Sequence, residues 1–221
     1  GQTARDAEQI LSVTGNRGGL IVHLGCGDGE LTAALHVNDA YLVHGLDRNV
    51  NNVKAARRHI RSRGLYGTVS VERWAGSRLP YGDNLVNLLV IEQPGAVGET
   101  EALRVLAPGG GACTRRDGGW EIMRKPRPDE IDEWTHFLHD ATGNAVSHDS
   151  TVGPLKRIQW VSGPPWARSH ENLPTMSVMV SAGGRIFYIM DEGPTASVIL
   201  PSRWSLIARD AFNGTLLWKK P

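Results

Sequence analysis

Apolar residues in the first 120 positions fall into short runs that alternate with helical patterns. Residues 18–25 (GGLIVHLG) are a near-continuous apolar run ending in glycines, as in a strand buried on both faces. Runs at 41–47, 68–74 and 84–93 predict three more strands. Between them, 29–37 and 49–64 carry apolar positions at helical spacing. In the second, Val50, Val53, Ala56 and Ile60 share one face and Gly64 supplies a stop. Residues 99–116 read as a helix, a Pro-Gly break and a fifth strand, and 4–13 as an amphipathic helix ahead of the sheet. Strands alternating with helices of this length predict an α/β fold, a parallel sheet with flanking helices and right-handed crossovers.

The pattern changes near residue 120. Six of the seven Trp and nine of the twelve Pro lie from residue 120 onward. Residues 157–161, 177–191 and 205–221 read as strands and strand-turn-strand units, with hairpin turns at 182–184 and 212–214. Residues 125–153 are rich in Pro, Asp and His, with one short helical stretch near 129–139. The expected organisation is an α/β domain over 1–125, a linker over 126–153, and antiparallel β strands over 154–221.

Composition adds exclusions. The chain has 221 residues, 40% apolar, and a formal net charge of +1. That is a globular composition with no basic surplus to release phosphate counterions, so it predicts no nucleic-acid partner. No apolar run approaches the roughly 18–20 residues of a membrane span. Two cysteines, Cys26 and Cys113, cannot build a disulfide framework or a four-ligand zinc site. The chain begins at Gly1 and stops directly after a hairpin pattern, which predicts a fragment of a longer protein.

The densest chemical signal is Gly25-Cys26-Gly27-Asp28-Gly29, where a buried strand gives way at once to a helix. Missing side chains let the backbone turn tightly and approach a ligand, and a helix start adds free N–H groups. The spacing is Gly-x-Gly-x-Gly, not the Gly-x-Gly-x-x-Gly of dinucleotide folds. The second strand then ends in Asp47-Arg48, about 20 residues after the glycines, where an acid can accept from a ribose diol. The alternative is that Asp47 merely caps the helix beginning near Val50.

With these residues in place, the first part resembles the class I S-adenosylmethionine-dependent methyltransferases of the small-molecule group. The matching segments are the glycine loop, Asp47, Leu79-Pro80-Tyr81-Gly82-Asp83-Asn84, and residues 101–110, whose helix and Pro-Gly-Gly turn lead into the fifth strand. The resemblance implies that Gly25, Cys26, Gly27 and Gly29 cradle the methionine and ribose portions of S-adenosylmethionine, with Asp47 on the ribose hydroxyls. It implies Arg48 beside the adenine, and methyl transfer to a small-molecule acceptor. Glu92, just past the fourth strand, either orients a ligand or is a solvated strand-end carboxylate. Cys26 fits packing better than nucleophilic attack, and no catalytic base stands out.

The chain also departs from the family pattern. His23 stands where the family has an acid, Ala75-Gly76 where an acid reaches the adenine amino group, and Asn87 where the fourth strand has Asp. Only a backbone contact from Gly76 would remain at that end of the pocket. These departures keep a second reading open, a non-catalytic ligand-binding or scaffold domain.

Residues 208–218 resemble the blade repeat of quinoprotein-like β-propellers, and 134–137 with 143–147 and 155–160 resemble their opening segment. The resemblance covers the pairing of the two parts, as in large bacterial proteins of planctomycete type. It implies a propeller able to meet a protein partner, and it is no argument for pyrroloquinoline quinone. Such propellers are usually exported, whereas S-adenosylmethionine is cytoplasmic, so the compartment stays open. His136, His139, His148 and His170, with Asp140, Asp149 and Glu171, have no known ligand spacing, and the expectation is no metal.

Overall fold

A computed structural model describes residues 1–150, 158–163, 175–197 and 199–221. The chain divides into two compact units, Gly1–Pro126 and Arg127–Pro221.

The first unit holds a six-stranded sheet in the order β3-β2-β1-β4-β5-β6. These strands are β1 (Gly19–Leu24), β2 (Tyr41–Asp47), β3 (Val69–Arg73), β4 (Val86–Ile91), β5 (Leu106–Arg116) and β6 (Gly119–Arg124). The first five run parallel and β6 pairs antiparallel with β5. β6 is not evident from the hydrophobic pattern, although Asp117-Gly118 is a hairpin dipeptide and both residues take the positive φ such a turn requires (47° and 81°).

Alternation along the buried strands sends side chains to two separate cores. Ile21, Val43, Val69, Leu88 and Val90 face one way, toward α1 (Gln2–Thr14), α2 (Glu30–Ala34) and α3 (Val50–Ser62). Leu20, Val22, Leu24, Leu46, Leu89 and Ile91 face the other way, toward α4 (Glu99–Val105) and Trp74 and Leu79. Helix α2 is only five residues long, against the nine predicted, so it contributes little axial dipole. In α3, Val53, Ala56 and Ile60 are buried as expected, but Val50 in the first turn is exposed.

The segment from Leu79 to Asp83 is tied to α4 by a single arginine. Arg104 donates to Glu101, Asp83 and the carbonyls of Leu79 and Tyr81, while Glu101 accepts from the Leu79 N–H at 2.6 Å. The Arg104 guanidinium holds the Glu101 carboxyl down to about 2. Two segments that matter to the family resemblance are thus one hydrogen-bonded unit.

In the second unit, β7 (Met176–Ala182), β8 (Arg185–Asp191), β9 (Trp204–Asp210) and β10 (Leu216–Lys220) form an antiparallel sheet in the order β10-β9-β8-β7. Tyr188, Met190 and Ile207 make its small core. The 210–214 turn is held by Asp210, whose Oδ1 accepts from the Phe212 and Asn213 N–H groups. Within the turn Gly214 has φ 73°, and Asn213 is not in the positive-φ region. The strand predicted at 157–161 is not one over its described residues, 158–161. Instead Trp160 donates from Nε1 to the Ala211 carbonyl, and its ring lies where a side chain on Gly214 would be, 2.4 Å from an added Cβ. The helical stretch expected near 129–139 is also absent: these residues are turns joined by irregular chain. Asp132 accepts from the adjacent Glu133 N–H, a local side-chain-to-backbone bond that competes with helix.

Candidate functional site

Strand order reverses at β1. From β1 the chain steps outward to β2 and β3, then returns to the other side of β1 as β4. In an open α/β sheet the crevice at the carboxyl ends of such a pair is where ligands bind. The residues there are Gly25 to Gly29 after β1, Asp47 and Arg48 after β2, and Glu92 after β4.

Local bonds shape the glycine loop. The Gly25 and Cys26 N–H groups both donate to the Leu46 carbonyl, continuing the β1–β2 ladder into the turn. Gly25, Gly27 and Gly29 have φ values of 78°, 55° and 85°. They differ in what surrounds them. A Cβ on Gly29 would meet Ala56 Cβ at 2.8 Å and its backbone Cα at 2.9 Å, so this glycine lets the loop pack on α3. Nothing lies within 4 Å of a Cβ on Gly27, which faces open space. Cys26 is buried, and desolvation pushes its thiol up to about 12, so at neutral pH it is a protonated packing group.

Asp47 is buried at the tip of β2 and reaches across to this loop. Its Oδ2 accepts from the Gly27 N–H at 2.9 Å and its Oδ1 from the Asn49 N–H at 2.8 Å. The Asn52 side-chain amide adds a longer contact of 3.2 Å to each oxygen. The cap of α3 is Asn49, which accepts from the Asn51 N–H. Asp47 therefore supports the cap from behind and also sutures the glycine loop, while the cap itself is Asn49 rather than Asp47. Arg48 lies over the Trp74 ring, 5.5 Å from its centroid. Trp74 is fixed by donation from Nε1 to the Arg78 carbonyl, and Ala75 and Gly76 follow it as exposed turn residues.

Glu92 belongs to a charged chain that sequence spacing does not reveal. His23, 1% exposed, shares a hydrogen bond from Nδ1 with Thr32 Oγ1, and its Nε2 lies 3.5 Å from Glu92 Oε1. On the other side Arg115 Nε is 3.3 Å from Glu92 Oε2, and Arg115 also pairs with Asp6 at 2.9 Å. The His23 imidazole, with help from Arg115, holds the Glu92 carboxyl below its ordinary range. An ionised acid thus stands beside β1 even though the β1 position itself carries His23. A cleft of about 540 Å³ lies mainly on the α4 side of the sheet, lined by Ile91, Gly95, Val97, Glu99, Thr114 and Arg116 among others; Glu92 is not part of its lining.

Asn87 does not belong to this site. It lies four residues before Ile91, about 13 Å along β4 at roughly 3.3 Å per residue, at the opposite end of the sheet. There its Oδ1 accepts from the Leu20 N–H at 2.7 Å, and its amide fills the space over Gly19. Its effect is on strand pairing, which removes it from the departures that bear on a ligand.

In the second unit, the residues weighed for a metal separate. Among the described residues, Asp132, His139 and His148 each bring one ligand atom within 4.8 Å of the others. Sequence spacing alone does not mark Asp132 as a member of this group. His136 bonds Thr135 instead, Asp149 donates its N–H to Ser147, and His170 and Glu171 lie outside the described residues.

Residues 21–110 match the family model described as a methyltransferase domain. No curated protein matches the chain. Among solved structures, the chain is similar to geranyl diphosphate C-methyltransferase from Streptomyces coelicolor A3(2), solved with Mg²⁺, geranyl diphosphate and S-adenosyl-L-homocysteine. That likeness has 21% identity and a TM-score of 0.46, over 50% of this chain and 44% of that one. It is also similar to the YcgJ protein of Bacillus subtilis (15% identity, TM-score 0.43, 50% of this chain and 49% of that one). A third is the cyclase SpnF (26% identity, TM-score 0.44, 53% and 46%). The chain spans about half the length of the solved structures it matches.

Proposed function

We propose that the first unit binds S-adenosylmethionine at the β1–β4 switch and transfers its methyl group to a small-molecule acceptor. The observation that carries this reading is the glycine loop sutured to Asp47, inside the stretch that matches a methyltransferase domain. The residues fit the cofactor in three respects. Gly27 leaves open space beside its backbone, Asp47 keeps two acceptor oxygens at the loop, and Glu92 is an ionised, partly exposed carboxylate. The cofactor would supply a methyl group activated on a sulfonium.

The chain's own part is to bind and align. Gly25, Cys26, Gly27 and Gly29 shape the cradle. The two 3.2 Å contacts from Asn52 are the weakest that Asp47 accepts, so ribose hydroxyls replace them while the Gly27 and Asn49 bonds stay. Glu92 pairs with the ammonium group, supplying the acid that His23 does not. Arg48, Ala75 and Gly76 flank the adenine. Transfer of this kind depends mostly on alignment of the acceptor with the methyl, which needs no dedicated base.

Calorimetric titration of the whole chain with S-adenosylhomocysteine tests this. Saturable one-to-one binding is expected; a folded sample that gives no heat at millimolar ligand rules the reading out. The exposed, uncharged turn at Ala75-Gly76 favours one alternative, a scaffold that binds the cofactor without turning it over. Binding without methyl transfer to any acceptor in a broad panel would select it.

The second unit we read as one blade of a quinoprotein-like propeller. A blade is a four-stranded antiparallel sheet. Met176, Val178, Met179, Trp204, Leu206, Leu216 and Trp218 leave apolar surface exposed on this one, as a blade without neighbours would. Backbone amides of β7 to β10 are therefore expected to exchange with solvent deuterium faster than those of β1 and β4. Equal protection would mark the sheet as a complete small domain and defeat the blade reading.

A further inference from the structure

We propose that Asp132, His139 and His148 form a binding site for one divalent transition-metal ion. Two imidazoles and a carboxylate are the donor set that suits zinc and its first-row neighbours, and three protein ligands leave one position open. Convergence is what sequence spacing could not show. The three residues come from a chain segment without helix or strand, yet their ligand atoms lie within 4.8 Å of one another.

The surroundings hold the donors as a ligand set requires. His139 is 3% exposed, and its ring meets the Trp134 ring edge-on at 5.2 Å and the His148 ring at 5.0 Å. Its Nε2 lies 2.6 Å from Asp132 Oδ2, and its Nδ1 faces Asp140 Oδ2 at 3.5 Å. With Nε2 on a metal, the ring proton would sit on Nδ1, the nitrogen that faces Asp140 Oδ2 at 3.5 Å. This is the carboxylate–histidine pairing that orients metal-bound imidazoles. Asp132 is itself oriented: the His148 and Glu133 N–H groups and the Ser147 hydroxyl all donate to it. Ligand atoms around a tetrahedral ion stand roughly 3.3 Å apart, given metal–ligand distances of about 2.0–2.2 Å. His148 is exposed and can reach that spacing by side-chain rotation.

The competing account is that Asp132 is only a hydrogen-bond hub that closes the 132–148 segment. Titration of the chelator-stripped full chain with Zn²⁺ by calorimetry and with Co²⁺ by visible absorption separates the two. The metal site predicts one tightly bound equivalent, ligand-field bands of a low-coordinate nitrogen–oxygen site, and a His139 ring protonated at Nδ1 by nitrogen NMR of the zinc form. His148→Gln and Asp132→Asn should each weaken binding tenfold or more. Asp140→Asn should weaken it by about tenfold to a hundredfold, as outer partners of metal ligands do. His136→Gln should leave it unchanged. Because His148 is exposed, its variant keeps the fold, which a melting curve verifies. A folded wild-type chain that binds neither ion overturns the proposal, as does binding that His148→Gln and Asp132→Asn leave intact.

Discussion

Replacing Asp47 with Ala is expected to weaken S-adenosylhomocysteine binding by about two orders of magnitude, roughly 3 kcal/mol. Two ribose hydroxyls donating to one carboxylate make charge-assisted bonds worth about 1.5–3 kcal/mol each. The variant loses those bonds and also the suture to the Gly27 N–H, so the loop that must present its backbone loses its anchor. Asp47→Asn is no milder in principle. Its amide NH₂ would face the N–H of Gly27 or of Asn49, donor against donor. Asn52→Ala separates binding from support: it removes only the two 3.2 Å contacts that the ribose replaces, so affinity should change by less than threefold. Titration calorimetry on folded samples reads all three. Unchanged affinity in Asp47→Ala would place the ribose elsewhere.

The largest expected loss of stability comes from Gly29→Ala. Its φ of 85° costs an L-residue about 1–2 kcal/mol, and the added methyl meets Ala56 at 2.8–2.9 Å, partly against the backbone of α3. Overpacking of that kind costs about 1–3 kcal/mol more. The sum, about 2–5 kcal/mol, corresponds to roughly 8–20 °C at about 4 °C per kcal/mol. Gly27→Ala is the control, because its positive φ is paired with open space. It should cost only the backbone portion, about 1–2 kcal/mol. Scanning calorimetry that finds the two variants equal would mean that the loop does not rest on α3 as described.

Much of the first unit was legible because its strands are buried on both faces. Runs such as residues 20–24 and 86–91 have no competing reading as exposed chain, and the glycines after the first run mark its carboxyl end. β6 was less legible: Gly119–Arg124 mixes charge with apolar residues and is only half-buried along its length. Its strongest signal was the Asp117-Gly118 turn. At the site, the glycines and Asp47 could be located from sequence, but not the bond between Asp47 and Gly27, because it spans 20 residues and depends on strand order. The same holds for Glu92. Its neighbours His23 and Arg115 come from β1 and β5, and only the sheet brings them together. Asn87 shows the opposite error: a position taken for part of the site from its strand proved to lie at the strand's far end.

The topology of the first unit also has a consequence for synthesis. β1 is hydrogen-bonded on one side by β2, complete by residue 47, and on the other by β4, which begins only at residue 86. Until that segment leaves the ribosome, a strand buried along its whole length in the finished fold has one bare edge, available to any other strand it meets. β7 to β10, by contrast, pair each with its neighbour in the chain and can close as they are made. The nascent chain is therefore most exposed to misassociation in the interval between the emergence of β1 and that of β4. Truncations that end before residue 86 keep that hazard permanently.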